Sequence, residues 1–282
     1  MSEKQKSVTI DMEYEREVTG LVLTIDVGNS NTTIGLFRQD GTLVFRSVLP
    51  TYKSATQDQW AIQLLDVFRL HGASVADTSG IMISSVVPPV TAAICGAAEF
   101  VAGKKPMVMG PGVKTGLNIK SDLHAQLGSD IVAFSVAAIA RYPSPLIVID
   151  MGTAITMSLL QGNSYEGCII MPGVRVAVEA LSQAAAELPH ISIKAPESLL
   201  GHNTVNAMRS GVVYGNASMI DGMIDRIEAD SGMSIASIIA TGTAVPDILK
   251  HCRHSIVYNA DLLLDGLFLI YQKNQALRHR RM

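Results

Sequence analysis

Two aspartates, Asp26 and Asp150, each follow a short apolar run and each precede a glycine by two positions. The first stands in LVLTIDVGNSNTTIGLF and the second in LIVIDMGTAITMSLL, so small hydroxyl and amide residues follow both glycines. A glycine lets the backbone bend after a strand, and the amides of such a bend can face phosphate. A carboxylate beside a phosphate requires a cation between them, and Mg²⁺ prefers oxygen ligands. Each stretch therefore favours a metal and phosphate site.

The repetition of this turn indicates a site between two similar halves. A single Asp-x-Gly turn without a ligand is common, whereas two copies, each opening one half of the chain, can face one another across a cleft. Two α/β halves that begin alike are typical of a duplicated domain. The predicted fold class is therefore α/β with two domains, and the pattern is characteristic of the actin, sugar-kinase and Hsp70 superfamily.

Hydrophobic periodicity predicts the elements that position the two turns. Strands are expected at residues 21–26 and 32–37, on either side of a turn at 28–31, and strand, turn and strand recur from residue 146. A helix is expected to start near Gly128 and to stop before Pro143. The expected division is an N-terminal extension at residues 1–20, a first domain at 21–145 and a second domain at 146–282.

Composition narrows the class of protein. Net charge is only −3, from 22 Lys and Arg against 25 Asp and Glu, whereas a nucleic-acid partner usually requires a basic surplus. The three cysteines are far apart and form no CxxC pair, which argues against a disulfide framework and a zinc knuckle. The sequence shows neither a signal peptide nor an apolar run of membrane-spanning length. We expect a cytoplasmic protein without a nucleic-acid or membrane partner.

An ordered set of further segments narrows the family. From residue 25 to residue 274 the chain contains DVGNSNTTIGLF, ISSVVPPV, KTGLNI, LGSD, IDMGTAIT, IIMPGV, GHNTVNAMRSGVVYG, ATGTA and DLLLDGLFLIYQKN in this order. Together they resemble the type III pantothenate kinase family. The resemblance implies two ribonuclease-H-like (actin-like ATPase) domains with a cleft between them, and a homodimer. It also implies transfer of the γ-phosphate of ATP to pantothenate, the first step of coenzyme A synthesis, with Mg²⁺ and a monovalent cation, K⁺ or NH₄⁺.

The resemblance assigns roles to matching positions. Asp130 matches the proton acceptor, Asp150 the monovalent-cation ligand, Asp26 the Mg²⁺ ligand and Thr153 an ATP contact. The ATP phosphate loop matches Asp26, Val27, Gly28, Asn29, Ser30, Asn31, Thr32 and Thr33. The positions of the pantothenate pocket are Ser121, Gly128, Ser129, Asp130, Ile131 and Thr204.

Two of these aspartates also have ordinary structural explanations. Asp130 stands near a predicted helix start, where a capping or first-turn carboxylate is common. Spacing alone favours the cap, and the resemblance favours the proton acceptor, because a carboxylate beside the attacking hydroxyl can orient it and take its proton. Asp150 could equally end a strand by accepting hydrogen bonds from turn amides.

Several positions depart from the family pattern around the substrate and adenine sides. The family's Gly-Ala-Asp-Arg is Gly128-Ser129-Asp130-Ile131 here, so an arginine suited to a substrate carboxylate is replaced by an apolar side chain. The other departures are Ser121 for tyrosine, His124 for proline, Ser158 for an acidic residue, and Cys168 and Thr243 for glycine. Three functions follow: a working pantothenate kinase, a kinase for another small hydroxyl compound, or a catalytically impaired paralogue that binds a ligand as a sensor or partner.

Overall fold

A computed structural model describes residues 20–119, 127–243 and 246–279. The first half contains β1 (Leu21–Val27), β2 (Asn31–Phe37), β3 (Leu43–Pro50), α1 (Gln57–Leu70), a short 3₁₀ helix (Val75–Asp77), β4 (Thr78–Ser85), α2 (Pro88–Ala102), β5 (Met107–Val108), β6 (Asn118–Ile119) and α3 (Ser129–Arg141). The second half contains β7 (Leu146–Met151), β8 (Ala154–Gln161), β9 (Ser164–Pro172), α4 (Val174–Ala184), α5 (Thr204–Ser231), β10 (Ser237–Gly242), α6 (Pro246–Leu249), β11 (Val257–Tyr258) and α7 (Leu262–His279).

The two sheets share one topology. The first has the strand order β3-β2-β1-β4-β5, and the second contains β9-β8-β7-β10-β11 with β6 added beside β9. In each sheet the opening strand pairs antiparallel with the next strand and parallel with the strand that follows the crossover. The predicted duplicated α/β architecture is therefore confirmed strand by strand.

Local sequence signals set the ends of the first two helices. Thr56 and Gln59 form a reciprocal capping box at the start of α1, and Gly72 follows its end with a φ of 65°. The sequence pattern of SSVVPPV predicts that both prolines end a strand and that the helix starts at Val90. In the structure α2 already begins at Pro88, because proline lacks the N–H that a first helical turn leaves unpaired.

Four apolar clusters hold the elements around the sheets. The outer face of the first sheet packs against α1 and α2, around Trp60 and Phe68, and the second sheet packs against α4 and α5. Helix α3 packs on the second sheet through Phe134 and Ala137, whereas α7 packs on the first sheet through Leu267 and contacts α3. These two helices therefore lie between the sheets, and their N-terminal ends reach the space between them.

The division into residues 1–20, 21–145 and 146–282 stays a prediction, and residues 1–19 lie outside the described part of the chain. Strand β6 pairs with β9 of the second sheet, and α7 covers the first, so contacts cross the predicted boundary at residue 145 in both directions. Among the described helices, none combines the length and the apolar character that crossing a membrane requires.

Candidate active site

In both Asp-x-Gly turns the glycine amide closes the turn by a backbone hydrogen bond, and the second turn is one residue shorter than the first. The amide of Gly28 donates to the carbonyl of Asn31 at 3.0 Å, and the amide of Gly152 donates to the carbonyl of Ala154 at 3.0 Å. Each turn connects the first strand of its sheet to an antiparallel partner, as the sequence predicted. The small residues after each glycine keep the turn narrow enough for a ligand to approach its backbone.

The turns face one another. The Ser30 hydroxyl of the first turn and the Thr153 hydroxyl of the second are 3.2 Å apart and form a hydrogen bond. Residues of both turns line one cleft with a volume of about 610 Å³. The tertiary fold thus brings the two halves of the sequence pattern into contact.

The two aspartates, Asp26 and Asp150, occupy equivalent positions near the ends of β1 and β7. Asp26 on β1 is level with Thr33 on β2 and with Ser84 on β4. Asp150 on β7 occupies the same place in the second sheet, with neighbours on β8 and β10. Because the two sheets have the same topology, their central strands end at the same cleft from opposite sides.

Three carboxylates, those of Asp26, Asp130 and Asp150, line this cleft and repel one another. Burial and the negative charges of Asp130 and Asp150 together raise the pKa of Asp26 to about 7, and the neighbouring Ser84 hydroxyl opposes the rise. Burial and the charge of Asp130 raise the pKa of Asp150 to about 7. Burial also raises the pKa of Asp130, against hydrogen bonds from the backbone. A cation in this cleft would favour the ionised forms.

The geometry fits a divalent cation shared with a phosphate. Oδ1 of Asp26 is buried and has no hydrogen-bond partner, which leaves one carboxylate oxygen for such an ion. Within residues 20–119, 127–243 and 246–279, no three His, Cys, Asp or Glu side chains form a ready cation cage. Mg²⁺ in nucleotide sites usually takes one or two carboxylates and completes its shell with phosphate and water.

Asp130 lies in the first turn of α3, and its position is compatible both with a first-turn carboxylate and with a group that faces the cleft. Its Oδ1 accepts a hydrogen bond from the Ile131 amide at 2.8 Å, so it pairs with a backbone N–H of that turn. The same side chain lines the cleft with Asp26 and Asp150. Gly128 is the N-cap, and a side chain at this position would collide with the Asp130 carboxylate. The glycine therefore leaves room for the carboxylate.

The structure brings most of the predicted site residues to the cleft. Its lining includes Asp26, Gly28, Asn29, Ser30, Asn31, Thr33, Asp130, Ile131, Asp150 and Thr153. The remaining predicted residues that the structure describes, which the lining does not include, are Val27, Thr32, Gly128, Ser129 and Thr204. Val27 and Thr32 are buried behind the turn, and the Thr32 hydroxyl bonds that of Thr51 at 2.9 Å. Ser121 lies outside the described residues, as does His124.

Two departures from the family pattern, Ser158 and Cys168, are cross-strand partners on β8 and β9. Ile131 packs against the cluster that contains Tyr165 and Cys168. Ser158 is buried, and its hydroxyl lies 3.1 Å from that of Tyr165. At positions 131 and 158 the charged side chains of the family pattern are replaced by an apolar and a neutral polar side chain. This exchange leaves neither position with an unpaired buried charge.

Sequence reasoning missed several residues of the site. Ser84 is level with Asp26 on the neighbouring strand and lowers the pKa of its carboxyl group. Its segment ISSVVPPV contributes to the family resemblance without assigning a role to the serine, because only the parallel register of β1 and β4 places it there. Arg46 and Arg175 line the cleft, although no local motif marks them. The Nε of Arg46 lies 3.5 Å from Oδ1 of Asp261 at the start of α7.

Two sheets of the same topology, whose opening hairpins meet over a cleft, define the ribonuclease-H-like, actin-like class of nucleotide-binding proteins. A solved structure of that architecture, component A of the (R)-2-hydroxyglutaryl-CoA dehydratase of Acidaminococcus fermentans, superposes with a TM-score of 0.52. The alignment covers 89% of this chain and 97% of the other at 12% identity, which shows the fold alone.

Sequence comparison identifies the family. The profile of the type III pantothenate kinases matches residues 22–226. The type III pantothenate kinase of Halalkalibacterium halodurans is 40% identical over 255 residues, which are 90% of this chain and 100% of that protein. The enzyme of the same name from Bacillus cytotoxicus is 36% identical over 262 residues, 93% and 99% of the two chains. The chain belongs to the type III pantothenate kinase family.

Proposed function

We propose that the protein transfers the γ-phosphate of ATP to the hydroxyl of pantothenate and releases 4'-phosphopantothenate and ADP. The observation that carries this proposal is that Asp130 lines the same cleft as the two facing turns. Phosphoryl transfer requires positioning and charge neutralisation more than covalent chemistry by the protein, and this cleft offers both.

The first turn, residues 26–33, is the proposed cradle for the ATP phosphates, and Thr153 of the second turn closes it. Asp26 would hold Mg²⁺ through its free oxygen, and Asp150 would hold a monovalent cation, K⁺ or NH₄⁺. When bound, these cations neutralise charge on the phosphates. The chain's own contribution is to hold both carboxylates at the ends of central strands, where neither can move away from the cleft.

Asp130 is the proposed proton acceptor. Its carboxylate is held at the start of α3, and burial raises its pKa above that of a free aspartate. A raised pKa makes a carboxylate a better base, because it takes a proton more readily as the hydroxyl attacks. Asp130 would orient the pantothenate hydroxyl and accept its proton late in the transfer.

The proposed acceptor pocket contains Ser121, Gly128, Ser129, Asp130, Ile131 and Thr204. A second candidate, a kinase for another small hydroxyl compound, is favoured by Ile131, which cannot pair with a carboxylate. The third is an impaired paralogue that binds its ligand without turnover. The three carboxylates at the cleft favour an enzyme, because mutual repulsion is costly unless cations and phosphates are bound.

A coupled assay of ADP release with ATP, Mg²⁺ and K⁺ separates these functions. We expect turnover that requires pantothenate and that falls by at least about 10²-fold in Asp130→Asn, the usual size of a general-base contribution. Pantothenate-independent turnover with another alcohol would support the second function. Thermal stabilisation by ATP or pantothenate without turnover would support the third.

We also propose a cytoplasmic homodimer. Exposed apolar side chains of the second half, Ile170 on β9, Leu181 on α4, and Leu199 and Leu200 before α5, support an interface on that side. Such side chains are covered in an interface between identical chains at no cost in unpaired polar groups.

A further inference from the structure

Another recess lies at the start of β4, away from the cleft. The start of β4, the loop between α2 and β5, and the C-terminal part of α7 enclose a volume of about 340 Å³. Nε2 of Gln275 donates a hydrogen bond to the Tyr271 hydroxyl at 2.8 Å, and a Cβ at Gly80 would collide with that hydroxyl. Glycine at position 80 therefore lets α7 approach β4 closely. Among the residues that the structure describes, none lines both this recess and the cleft.

The charged side chains that line this recess, within the described ranges, are all basic. They belong to Lys104 and Lys105, between α2 and β5, and to Arg278 on α7, and we call the site the basic recess. All three side chains are exposed, and none forms an ion pair with another described residue. Like charges that share a recess repel one another, and their positive potential attracts a negative group.

The chain enters the fold beside the basic recess. Nε2 of Gln39 donates to the carbonyl of Gly20 at 2.7 Å and to the hydroxyl of Ser79 at 3.2 Å. The Ser79 hydroxyl in turn donates to the carbonyl of Leu21 at 3.1 Å, and Ser79 lines the recess. The part of the chain that precedes Gly20 is therefore attached to the fold at the edge of the recess.

The sequence before this attachment point is acidic. Residues 11–17, DMEYERE, contain four acidic side chains and one basic side chain. One residue extends the chain by at most about 3.6 Å, so the Cα atoms of residue 17 and Gly20 are at most about 11 Å apart. A tether of this length gives the segment a high effective concentration at the recess. The segment also precedes residue 22, where the match to the family profile begins.

We propose that residues 11–17 bind the basic recess of the same chain, with their carboxylates beside Lys104, Lys105 and Arg278. A single exposed ion pair is weak, whereas several opposite charges that a tether holds together add their contributions. Because Arg278 lies on α7, the contact connects the N-terminal segment to a helix that packs on the first sheet. The inference does not depend on the proposed phosphoryl transfer, since the recess and the cleft are separate sites.

Carbodiimide coupling of the full chain, followed by mass spectrometry of its peptides, tests this contact, because the reagent joins a carboxylate to a lysine amine that touches it. We expect the acidic side chains of the segment to couple to the two lysines of the recess about 5- to 10-fold more than to two reference lysines, the excess that two or three surface ion pairs provide. The reference lysines, Lys53 and Lys194, are exposed and line neither the recess nor the cleft. Equal coupling to all four lysines would contradict the proposal.

Ionic strength tests whether charge holds the segment in place. In about 1 M salt the Debye length is about 3 Å, so coupling to the recess is expected to fall to the level of the reference lysines. Sulfate and chloride at equal ionic strength are expected to act alike, because both only screen the charges. A stronger effect of sulfate would overturn the proposal and identify the recess as a site for small anions. An excess that persists in high salt would also overturn it.

Arg278→Glu reverses one charge of the recess and leaves both of its reactive lysines unchanged. Their coupling to residues 11–17 is expected to fall by about 3- to 10-fold. Tm is expected to stay within about 2 °C of the wild-type value, because the side chain is exposed. Arg69→Glu is the matched control, since Arg69 is exposed near the end of α1 and lies outside the recess, and it is expected to leave the coupling unchanged. Equal losses in the two variants would count against the recess.

A mixture of chains with natural and heavy nitrogen distinguishes a contact within one chain from a contact between two. We expect cross-linked peptides whose two halves carry the same isotope. Cross-links that combine the two isotopes as often as chance predicts would show that the segment binds a second copy, which would overturn the assignment to the same chain.

Discussion

At the scale of single residues, the cleft concentrates negative charge that the folded chain alone does not neutralise. Asp26 and Asp150 are partly buried, the charges of Asp130 and Asp150 raise the pKa of Asp26, and the charge of Asp130 also raises that of Asp150. An unliganded enzyme with this arrangement gives up stability when the carboxylates ionise, and it recovers that stability when cations bind. Such a loss of folding stability is common in active sites, because their residues are arranged to stabilise a transition state rather than the folded protein.

Replacing Asp26 by asparagine tests this cost. The folded pKa of about 7 lies above the ordinary value of 3.8, so between these values the folded protein keeps a proton that the unfolded chain has lost. Wild-type stability therefore falls as pH rises through that window. In thermal melts without ligand, Asp26→Asn is expected to raise Tm by a few degrees at pH 8 and by clearly less at pH 5, because only the lower part of this window lies below pH 5.

Asp66→Asn, on the exposed face of α1, is the control for this measurement. It removes a solvated carboxylate and is expected to change Tm little at either pH. If Asp26→Asn lowered Tm at pH 8, the carboxylate would be stabilising in the unliganded protein, and the cost described above would not exist.

At the scale of elements, the ends of the central strands control where the turns lie. Gly242 ends β10 with a φ of 107°, and a Cβ at this position would lie 2.5 Å from the carbonyl oxygen of Met151. Only glycine adopts this conformation without strain, and it lets β10 approach the second turn closely. Thr243, in place of a glycine in the family pattern, follows at once and lines the cleft.

Gly242→Ala is expected to lower stability and to weaken nucleotide binding together. A side chain at this φ costs about 1–3 kcal/mol, which corresponds to roughly 2–10 °C in Tm for a chain of this size. The displaced turn is also expected to raise KM for ATP more than KM for pantothenate, because Gly242 and Thr243 line the cleft beside the second turn.

Gly211→Ala is the matched control for this prediction. Gly211 lies inside α5, and beyond the backbone of its own helix no atom comes within 4 Å of the place that a Cβ would occupy. Alanine therefore adds a better helix former without a collision. We expect an unchanged or higher Tm and unchanged kinetics. A Gly242→Ala protein with wild-type KM for ATP would show that the end of β10 does not position the turn.

At the scale of the whole molecule, the two helices between the sheets tie the lobes together. Helix α3 belongs to the first half of the chain and packs on the second sheet, whereas α7 belongs to the second half and packs on the first sheet. The N-terminal ends of both helices reach the cleft through Asp130 and Leu263. A relative movement of the lobes must therefore change the surroundings of Asp130.

The proposed dimer also concerns the whole molecule, because it depends on exposed apolar side chains of the second half. Leu199 is 62% exposed and Leu200 is 78% exposed, which is costly for adjacent apolar residues unless a second chain covers them. Replacing both by glutamate is expected to convert a dimer to a monomer in light scattering after size exclusion. Leu70→Glu is the control, because this leucine on α1 is 79% exposed and lies in the other half of the chain. A wild-type monomer at micromolar concentration would contradict the proposal.

Local features of the sequence were enough to predict the strands, the turns and most helix starts. An apolar run followed by Asp-x-Gly predicts a strand and a turn because burial and glycine's backbone freedom act within a few residues. The same reasoning placed the start of α3 near Gly128, and its repetition predicted two similar halves. Pro88 was the exception among the helix starts, because proline suits both the end of a strand and the first turn of a helix.

Only the tertiary structure decided which of these groups meet. The contact of Ser30 with Thr153, the hydrogen bond between Ser84 and Ser129, and the packing of α7 on the first sheet all join residues far apart in the chain. Such contacts depend on the register between parallel strands and on the way the sheets share their helices. Local propensity carries no information about either, because both arise from burying the apolar faces of separate elements against each other.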